Sequence, residues 1–266
     1  MHFCGDCGKR LRNPDDICRR CHPAYFCPVC DMMLRNPDDT CSRCHPADFR
    51  ELSYIEWLKW MRNQRAADHV VGPYSCEIYY PKKWNEYLSP FSQNIIRAKQ
   101  GSKEAVNYLC EKMYDYLLPN KSPSRFFNLD DVEIIVPVPN EWCIDTDATL
   151  IAEEFAKIIR ERVRENIRSD KFILERVGKS NTDRKYSSDA EKYRASLQDY
   201  KVTEKMKEDK NPLKDKKILL IDDNRTSGIT IGVCASWLLQ LGAKRVIMFC
   251  AGKTFGRSVP YLPSGT

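Results

Sequence analysis

Two sets of residues in this chain have the types and spacing to do chemistry. The first is Ile221-Asp222-Asp223-Asn224-Arg225-Thr226-Ser227-Gly228-Ile229-Thr230. Adjacent carboxylates can accept hydrogen bonds from vicinal hydroxyls or hold a divalent metal. The small, hydroxyl-rich run after them opens a predicted helix, where backbone N–H groups, side-chain hydroxyls and the positive helix end together cradle a phosphate. A sugar carrying a phosphate at one end satisfies both halves. The second set is four Cys-x-x-Cys pairs in the first 44 residues: Cys4 with Cys7, Cys18 with Cys21, Cys27 with Cys30, and Cys41 with Cys44.

The cysteine pairs belong to an internal repeat. Cys4-x-x-Cys7, LRNPDD at 11–16 and Cys18-x-x-Cys21-His22-Pro23-Ala24 all recur 23 residues later. Each copy offers four thiolates in two knuckles, the number and geometry of a closed tetrahedral zinc site. The Asn-Pro-Asp-Asp between the knuckles suits a turn joining two ribbon strands. A unit this small cannot build a core, so metal binding must provide most of its folding free energy. Two structural zinc ions are expected. Cys18–His22 and Cys41–His45 also match the attachment pattern of c-type haem, but haem leaves the two upstream knuckles unexplained. His22 or His45 could replace a neighbouring cysteine; with four cysteines in each copy, both are read as bystanders.

The elements that must position these residues follow from periodicity. A helix is predicted from Asp48 to about Arg65, with Leu52, Ile55, Trp57, Leu58, Trp60 and Met61 on a broad apolar face. A short strand is predicted at 74–79, and a helix at 102–118 with Ala105, Leu109, Met113 and Leu117 on one face. The run 132–138 is apolar almost throughout, as in a parallel strand buried on both sides. A helix at 146–164 carries Ile151, Phe155, Ile158 and Ile159 on one stripe. A short strand is predicted at 172–174, and one helix, at 187–197, within the polar span 177–216. A buried strand at 217–223 leads to a helix at 229–241 closed by Gly242, then a strand at 245–250. Strand and helix alternate as in a parallel α/β sheet.

Composition sets the outer bounds. The chain has 266 residues, 42% of them apolar, which leaves room for one sizeable α/β domain plus small accessories. No run approaches the roughly 18 apolar residues of a membrane span. The start, Met1-His2-Phe3-Cys4, lacks signal-peptide features, so a cytoplasmic, soluble protein is expected. Thirteen cysteines clustered in this way point to a reducing compartment and a metal. The net charge is +6, and residues 156–217 alone hold 19 Lys or Arg against 12 Asp or Glu, which suggests an anionic ligand. An aspartate phosphoacceptor as in receiver domains is excluded, because no Asp or Glu follows Asp223.

The 221–230 segment resembles the phosphoribosyl diphosphate signature of type I phosphoribosyltransferases: an apolar strand, two acids, then Thr-Ser/Thr-Gly-x-Thr. The wider order is similar to the ComF-like proteins of that class. These have an amino-terminal zinc ribbon (duplicated here), a Lys-x-Gly segment (Lys99-Gln100-Gly101), a strand ending Val-Pro-Val-Pro (136–139), and then the signature. The resemblance implies Asp222 and Asp223 at the ribose hydroxyls, Thr226, Ser227, Gly228, Ile229 and Thr230 around the 5′-phosphate, and Mg²⁺ with the diphosphate. The loop after Val-Pro-Val-Pro is basic in those proteins. Here Asn140–Asp145 holds two acids and no base. The segment resembling the family's flexible loop, about 176–200, keeps Lys179, Arg184, Lys185 and Arg194, but lacks the family's Gln and Asn at the expected places.

The expectation is an α/β, type I phosphoribosyltransferase-like parallel sheet flanked by helices, preceded by two small zinc ribbons. The ribbons occupy 1–26 and 27–49, a linking helix and hood-like region 50–130, and the phosphoribosyltransferase-like domain 131–266. The expected activity is transfer of ribosyl phosphate from phosphoribosyl diphosphate to a nitrogen acceptor, with Lys179, Arg184 and Lys185 serving the diphosphate. The alternative is a non-catalytic protein binding phosphoribosyl diphosphate or a related nucleotide, or a scaffold in DNA handling. Residues 1–50 hold eight basic and seven acidic residues. Two four-thiolate zinc sites each add −2, bringing this region to about −3, which favours a protein partner over nucleic acid.

Overall fold

The computed structural model describes residues 2–3, 10–11, 49–66, 68–80, 89–118, 129–139, 147–178, 186–208 and 211–254. The chain divides into two units, Met1–Ala67 and Asp68–Thr266. This boundary differs from the expected 49/50 and 130/131 divisions, because the segment after Ala67 enters the main sheet.

In the first unit, β1 (His2–Phe3) pairs antiparallel with β2 (Arg10–Leu11), His2 opposite Leu11. The pair flanks the segment containing Cys4 and Cys7. All eight cysteines of the repeat, and with them the two expected zinc sites, lie outside the described residues. After a 3₁₀ turn (Phe49–Glu51) comes α1 (Tyr54–Ala66). A reciprocal capping box starts α1: Glu56 N donates to Ser53 Oγ at 3.3 Å, and Ser53 N donates to Glu56 Oε2 at 2.8 Å. Trp57, Trp60, Met61 and Gln64 form its buried stripe, and Phe49 stacks on Trp60. Ile55, expected on the apolar face, is instead exposed, lying off the 57/60/61/64 phase.

The second unit is an α/β domain. Its five-stranded sheet has the order β3 (Val70–Tyr79), β9 (Arg245–Thr254), β8 (Lys217–Arg225), β4 (Ile134–Pro137) and β5 (Arg168–Ser169), all parallel. Strand alternation assigns the faces. Leu219, Ile221, Ile247 and Phe249 enter one core with α2 (Pro90–Lys99), α3 (Lys103–Leu117) and α4 (Asp147–Arg162). The intervening Ile218, Leu220, Val246 and Met248 turn to the other face. That side is covered by α7 (Ile229–Gln240), with α5 (Asp189–Asp199) and the hairpin of β6 (Leu174–Arg176) and β7 (Tyr200–Val202) beside it.

The predicted helices at 102–118, 146–164, 187–197 and 229–241 correspond to α3, α4, α5 and α7. The sequence pattern misses α2, although Ser89 caps it, Pro90 occupies its first turn, and Phe91, Ile95 and Ala98 bury one face. The strand expected at 172–174 lies at 174–176, because pairing of Leu174 with Val202 sets its register and leaves Phe172 exposed. The two-residue β5, three-residue β7 and four-residue α6 (Glu204–Lys207) are too short to show a period. No helix among the described residues is long and apolar enough to cross a membrane.

Candidate ligand site at the carboxyl edge of the sheet

The connectivity fixes where a ligand site belongs. From β4 the chain passes through α4 outward to β5. From β8, which lies beside β4, it passes through α7 to β9 in the opposite direction. The strand order therefore reverses between β4 and β8, and the crevice beyond the carboxyl ends of these strands is a topological switch point. Ile134–Pro137 of β4 pairs residue by residue with Ile218–Ile221 of β8, and Val138 N donates to Ile221 O at 2.7 Å. The Val-Pro-Val-Pro end of β4 and the Asp222–Thr230 segment thus meet at one edge. Residues 140–146, with the acidic loop, lie outside the described residues.

The two aspartates were expected to end their strand, predicted at 217–223. They lie within it: β8 continues to Arg225, because β9 runs on to Thr254 and Asn224 and Arg225 pair with Gly252 and Lys253. Consecutive strand residues point to opposite faces, and the partners agree. Asp223, 7% exposed, is ion-paired with Lys99, the last residue of α2. Asp222 is half-buried and lines a pocket on the α7 side together with Lys192 of α5. Burial lowers the pKa of the Lys192 ammonium, and the nearby carboxylates of Asp222 and Asp189 oppose that shift.

Lys99 owes its place to the end of α2. Gly101 takes φ +83° and donates its N–H to Ala98 O at 2.8 Å, closing the helix, and Ser102 at once caps α3. The Lys-Gln-Gly segment noted in the sequence therefore meets the signature 124 residues later through tertiary packing. On the α7 side, Val177 N donates to Asp199 O at 2.8 Å beside the β6–β7 ladder, and Ser188 caps α5, with Glu191 N donating to Ser188 Oγ at 3.2 Å.

The turn after β8 leads directly into α7. Thr226 and Ser227 are exposed, and Gly228 takes φ +78° as the residue preceding α7. A Cβ at Gly228 would lie 3.2 Å from Pro73 Cγ on β3, so this position combines a left-handed backbone with close packing. No side-chain hydrogen bond from Gly228 caps the helix, although Ile229 N donates to Ser227 Oγ at 3.4 Å. The first-turn N–H groups of a helix have no intrahelical acceptor, and they carry the positive end of the dipole. Thr226, Gly228, Thr230 and Ile231 line the same pocket as Asp222, Asn224 and Lys192. The buried side chain of Ile229 sits in the core and can contribute only its backbone.

Among the described residues, no group of three or more His, Cys, Asp or Glu side chains converges to hold a metal. The pocket does contain hard oxygen donors. Asn224 donates Nδ2 to Thr254 Oγ1 at 2.6 Å, while its buried Oδ1 has no hydrogen-bond partner among the described residues. Asp222 and Asn224 suit a magnesium ion that arrives with ligand oxygens, the usual mode for this cation. Cys76, Cys110, Cys234 and Cys250 are free thiols, and burial raises the pKa of each. They are neutral and poor nucleophiles.

The site thus brings together Asp222, Asn224, Lys192 and the turn at 226–230, whereas Asp223 lies on the other face with Lys99, and Lys179, Arg184 and Lys185 lie outside the described residues. Sequence reasoning missed Lys192 and named Arg194, which is exposed. Helical phase held the signal: 192, 196 and 199 are spaced i, i+4, i+7, and Ser196 and Asp199 are buried. No family model matches this chain, and no curated protein matches it.

Proposed function

We propose that this chain is a ComF-like protein with a type I phosphoribosyltransferase fold, that it binds phosphoribosyl diphosphate with Mg²⁺, and that it transfers ribosyl phosphate to a nitrogen acceptor. One observation carries the reading. A strand bearing two aspartates turns through Thr226-Ser227-Gly228 into the open amino end of α7 at a switch point, with Lys192 facing Asp222. The turn would serve the phosphate and Asp222 the ribose, with Lys192 the nearest cation for the diphosphate.

In the proposed reaction the N–H groups and hydroxyls of 226–230 hold the 5′-phosphate, and Asp222 accepts a hydrogen bond from a ribose hydroxyl. Asp223, on the opposite face of β8, pairs with Lys99 and ties the strand to α2. The acceptor nitrogen attacks C1 of the ribose. The C1–N bond forms as the C1–O bond to diphosphate breaks, the diphosphate leaves with the bonding pair, and the nitrogen releases its proton to water. Positive charge develops on the ribose during this exchange, and the carboxylate of Asp222 stabilises it. Asp222 and Asn224 would hold Mg²⁺ arriving with the ligand, which would supply positive charge to offset that of the departing diphosphate. Lys192 adds a cation to the same pocket, and Lys179, Arg184 and Lys185 would complete the set.

A non-catalytic binding protein is the second reading. The Lys99–Asp223 ion pair favours it, because one of the two signature carboxylates is already neutralised. Calorimetry with phosphoribosyl diphosphate and Mg²⁺, followed by single-turnover measurement of diphosphate release, separates the two. Binding with release supports the transferase, binding without release supports the second reading, and absence of binding defeats both.

For the amino-terminal unit the proposal is two zinc ions, one at Cys4, Cys7, Cys18 and Cys21, the other at Cys27, Cys30, Cys41 and Cys44, in ribbons that dock a protein partner. Elemental analysis should find two zinc ions per chain. One zinc, an iron, or a haem absorption band would defeat that assignment.

A further inference from the structure

A second hollow opens next to the phosphate turn, toward the edge strand β3. It has a volume of about 310 Å³, within the range of small-molecule sites, and Arg225 lines both it and the first pocket. Its other walls include Tyr74, Ser75, Glu77, Tyr116 and Lys253.

The charges in this hollow are unbalanced. Arg225 and Lys253 stand opposite one another across the β8–β9 pair, and like charges so placed on neighbouring strands repel. Arg225 donates Nε to Ser75 Oγ at 3.2 Å, and its terminal nitrogens have no acceptor among the described residues. The Lys253 side chain makes no ion pair or hydrogen bond among the described residues. Glu77 is the one carboxylate among the described lining residues; burial raises its pKa, and Lys112 opposes that shift. The cations are therefore arranged around a place for an external anion. A guanidinium beside an ammonium suits a carboxylate, which Arg can grip through two parallel hydrogen bonds.

The remaining walls are Pro73, Cys76, Ile78 and two aromatic residues, Tyr74 and Tyr116. Tyr116 is held in place by stacking on Phe249, with ring centroids 5.8 Å apart and planes 26° apart. Tyr74 contributes a second ring. Flat aromatic walls favour a flat ligand, through offset stacking. Arg225 borders both this hollow and the pocket of the proposed ribose. We propose that this hollow is the acceptor site, and that the acceptor is a planar aromatic carboxylate carrying the nucleophilic nitrogen. The role as acceptor rests on the transferase reading, whereas the binding chemistry does not.

The test uses the full chain and 2-aminobenzoate, whose fluorescence reports binding. Aniline, acetate and inorganic phosphate serve as competitors that separate ring from charge. 2-Aminobenzoate should bind at least tenfold more tightly than each of the three. Lys253→Met should weaken it about tenfold, the loss of one charge-assisted contact, while Lys253→Arg retains it. Tyr116→Leu should also weaken it; should that variant melt early, the Lys253 pair still decides the matter. Aniline or phosphate binding as tightly as 2-aminobenzoate, or an unchanged affinity in Lys253→Met, would overturn the proposal. Asp222→Asn keeps the two readings apart, since it should impair ribose 5-phosphate binding and leave 2-aminobenzoate binding intact. A chain that binds 2-aminobenzoate but not phosphoribosyl diphosphate keeps the anion site and loses the transferase.

Discussion

Asp222 and Asp223 are neighbours in sequence, identical in chemistry and part of one strand, yet they stand in different surroundings. On the α2 side, Asp223 is 7% exposed and tied to Lys99. On the α7 side, Asp222 is half-buried and lines a pocket that also holds Lys192, two threonines and the start of α7. Strand alternation accounts for the separation, and the two helical layers account for the difference in partners. A carboxylate enclosed with its counter-ion serves stability first. One that faces a pocket remains available to a ligand. A shared Asp-Asp motif therefore need not mean a shared role, and four experiments can break or sharpen this contrast.

The largest effect is expected from Asp222→Asn. Loss of a charged acceptor for a ribose hydroxyl should weaken ribose 5-phosphate binding by about 10- to 100-fold, since hydrogen bonds to charged groups contribute about 1.5–3 kcal/mol. Titration calorimetry measures this, and the melting temperature should change little. Asp223→Asn should weaken binding much less. Equal losses in the two variants would erase the contrast between the faces.

Lys99→Met comes next. It leaves the enclosed Asp223 carboxylate without its partner, and breaking buried pairs costs about 3–5 kcal/mol. Lys99 has a side chain 42% exposed, so solvent screens the pair; we expect about 2 kcal/mol in denaturant unfolding. The double variant with Asp223→Asn should recover most of that loss, because no unpaired charge remains. A double variant as unstable as Lys99→Met would show that the lysine acts by packing.

Lys192 gives a pH signature. Burial lowers its pKa in the folded chain below the usual lysine value of 10.5, so the unfolded chain keeps the proton to higher pH. Below the lowered pKa both states are charged and the folded state bears the full burial penalty. The penalty disappears as pH rises toward 10.5, so this lysine makes stability increase with pH in the alkaline range. Anion affinity should move the opposite way, falling as Lys192 loses its proton. In Lys192→Met that alkaline loss should vanish, with affinity for ribose 5-phosphate at pH 7 lower by about tenfold. Asp222→Asn should shift the alkaline stability rise to lower pH, because Asp222 favours the charged lysine.

The smallest effect is at the turn shared by both faces. Gly228→Ala places a Cβ at φ +78° and 3.2 Å from Pro73 Cγ, and should cost about 1 kcal/mol in thermal or denaturant unfolding. Neutral behaviour would mean that the turn relaxes and that its conformation does not define the cradle.

Much of the positioning machinery was legible in the chain. The buried runs at 132–138, 217–223 and 245–250 fall in β4, β8 and β9, because a strand covered on both faces is apolar throughout. The stripe of Ala105, Leu109, Met113 and Leu117 gave the buried face of α3. Other features were not legible. The β3 strand begins at Val70 and passes through Gly72-Pro73, which reads as a break in a sequence; a bulge at an edge strand tolerates it, since Pro need donate no ladder hydrogen bond there. Lys192 was missed because the 177–216 span was read by charge, and only the phase of α5 distinguishes it from Arg194.

The sequence by itself determined the α/β alternation, the strand–turn–helix around Asp222–Thr230 and the 23-residue cysteine repeat, since period, turn chemistry and ligand spacing are local properties. Only the tertiary structure decided that β8 runs on to Arg225, that Lys99 reaches Asp223 from 124 residues away, and that Lys192 faces Asp222. Those outcomes depend on which strand pairs with which and which helix covers which face, and such contacts join residues whose separation along the chain carries no periodic signal.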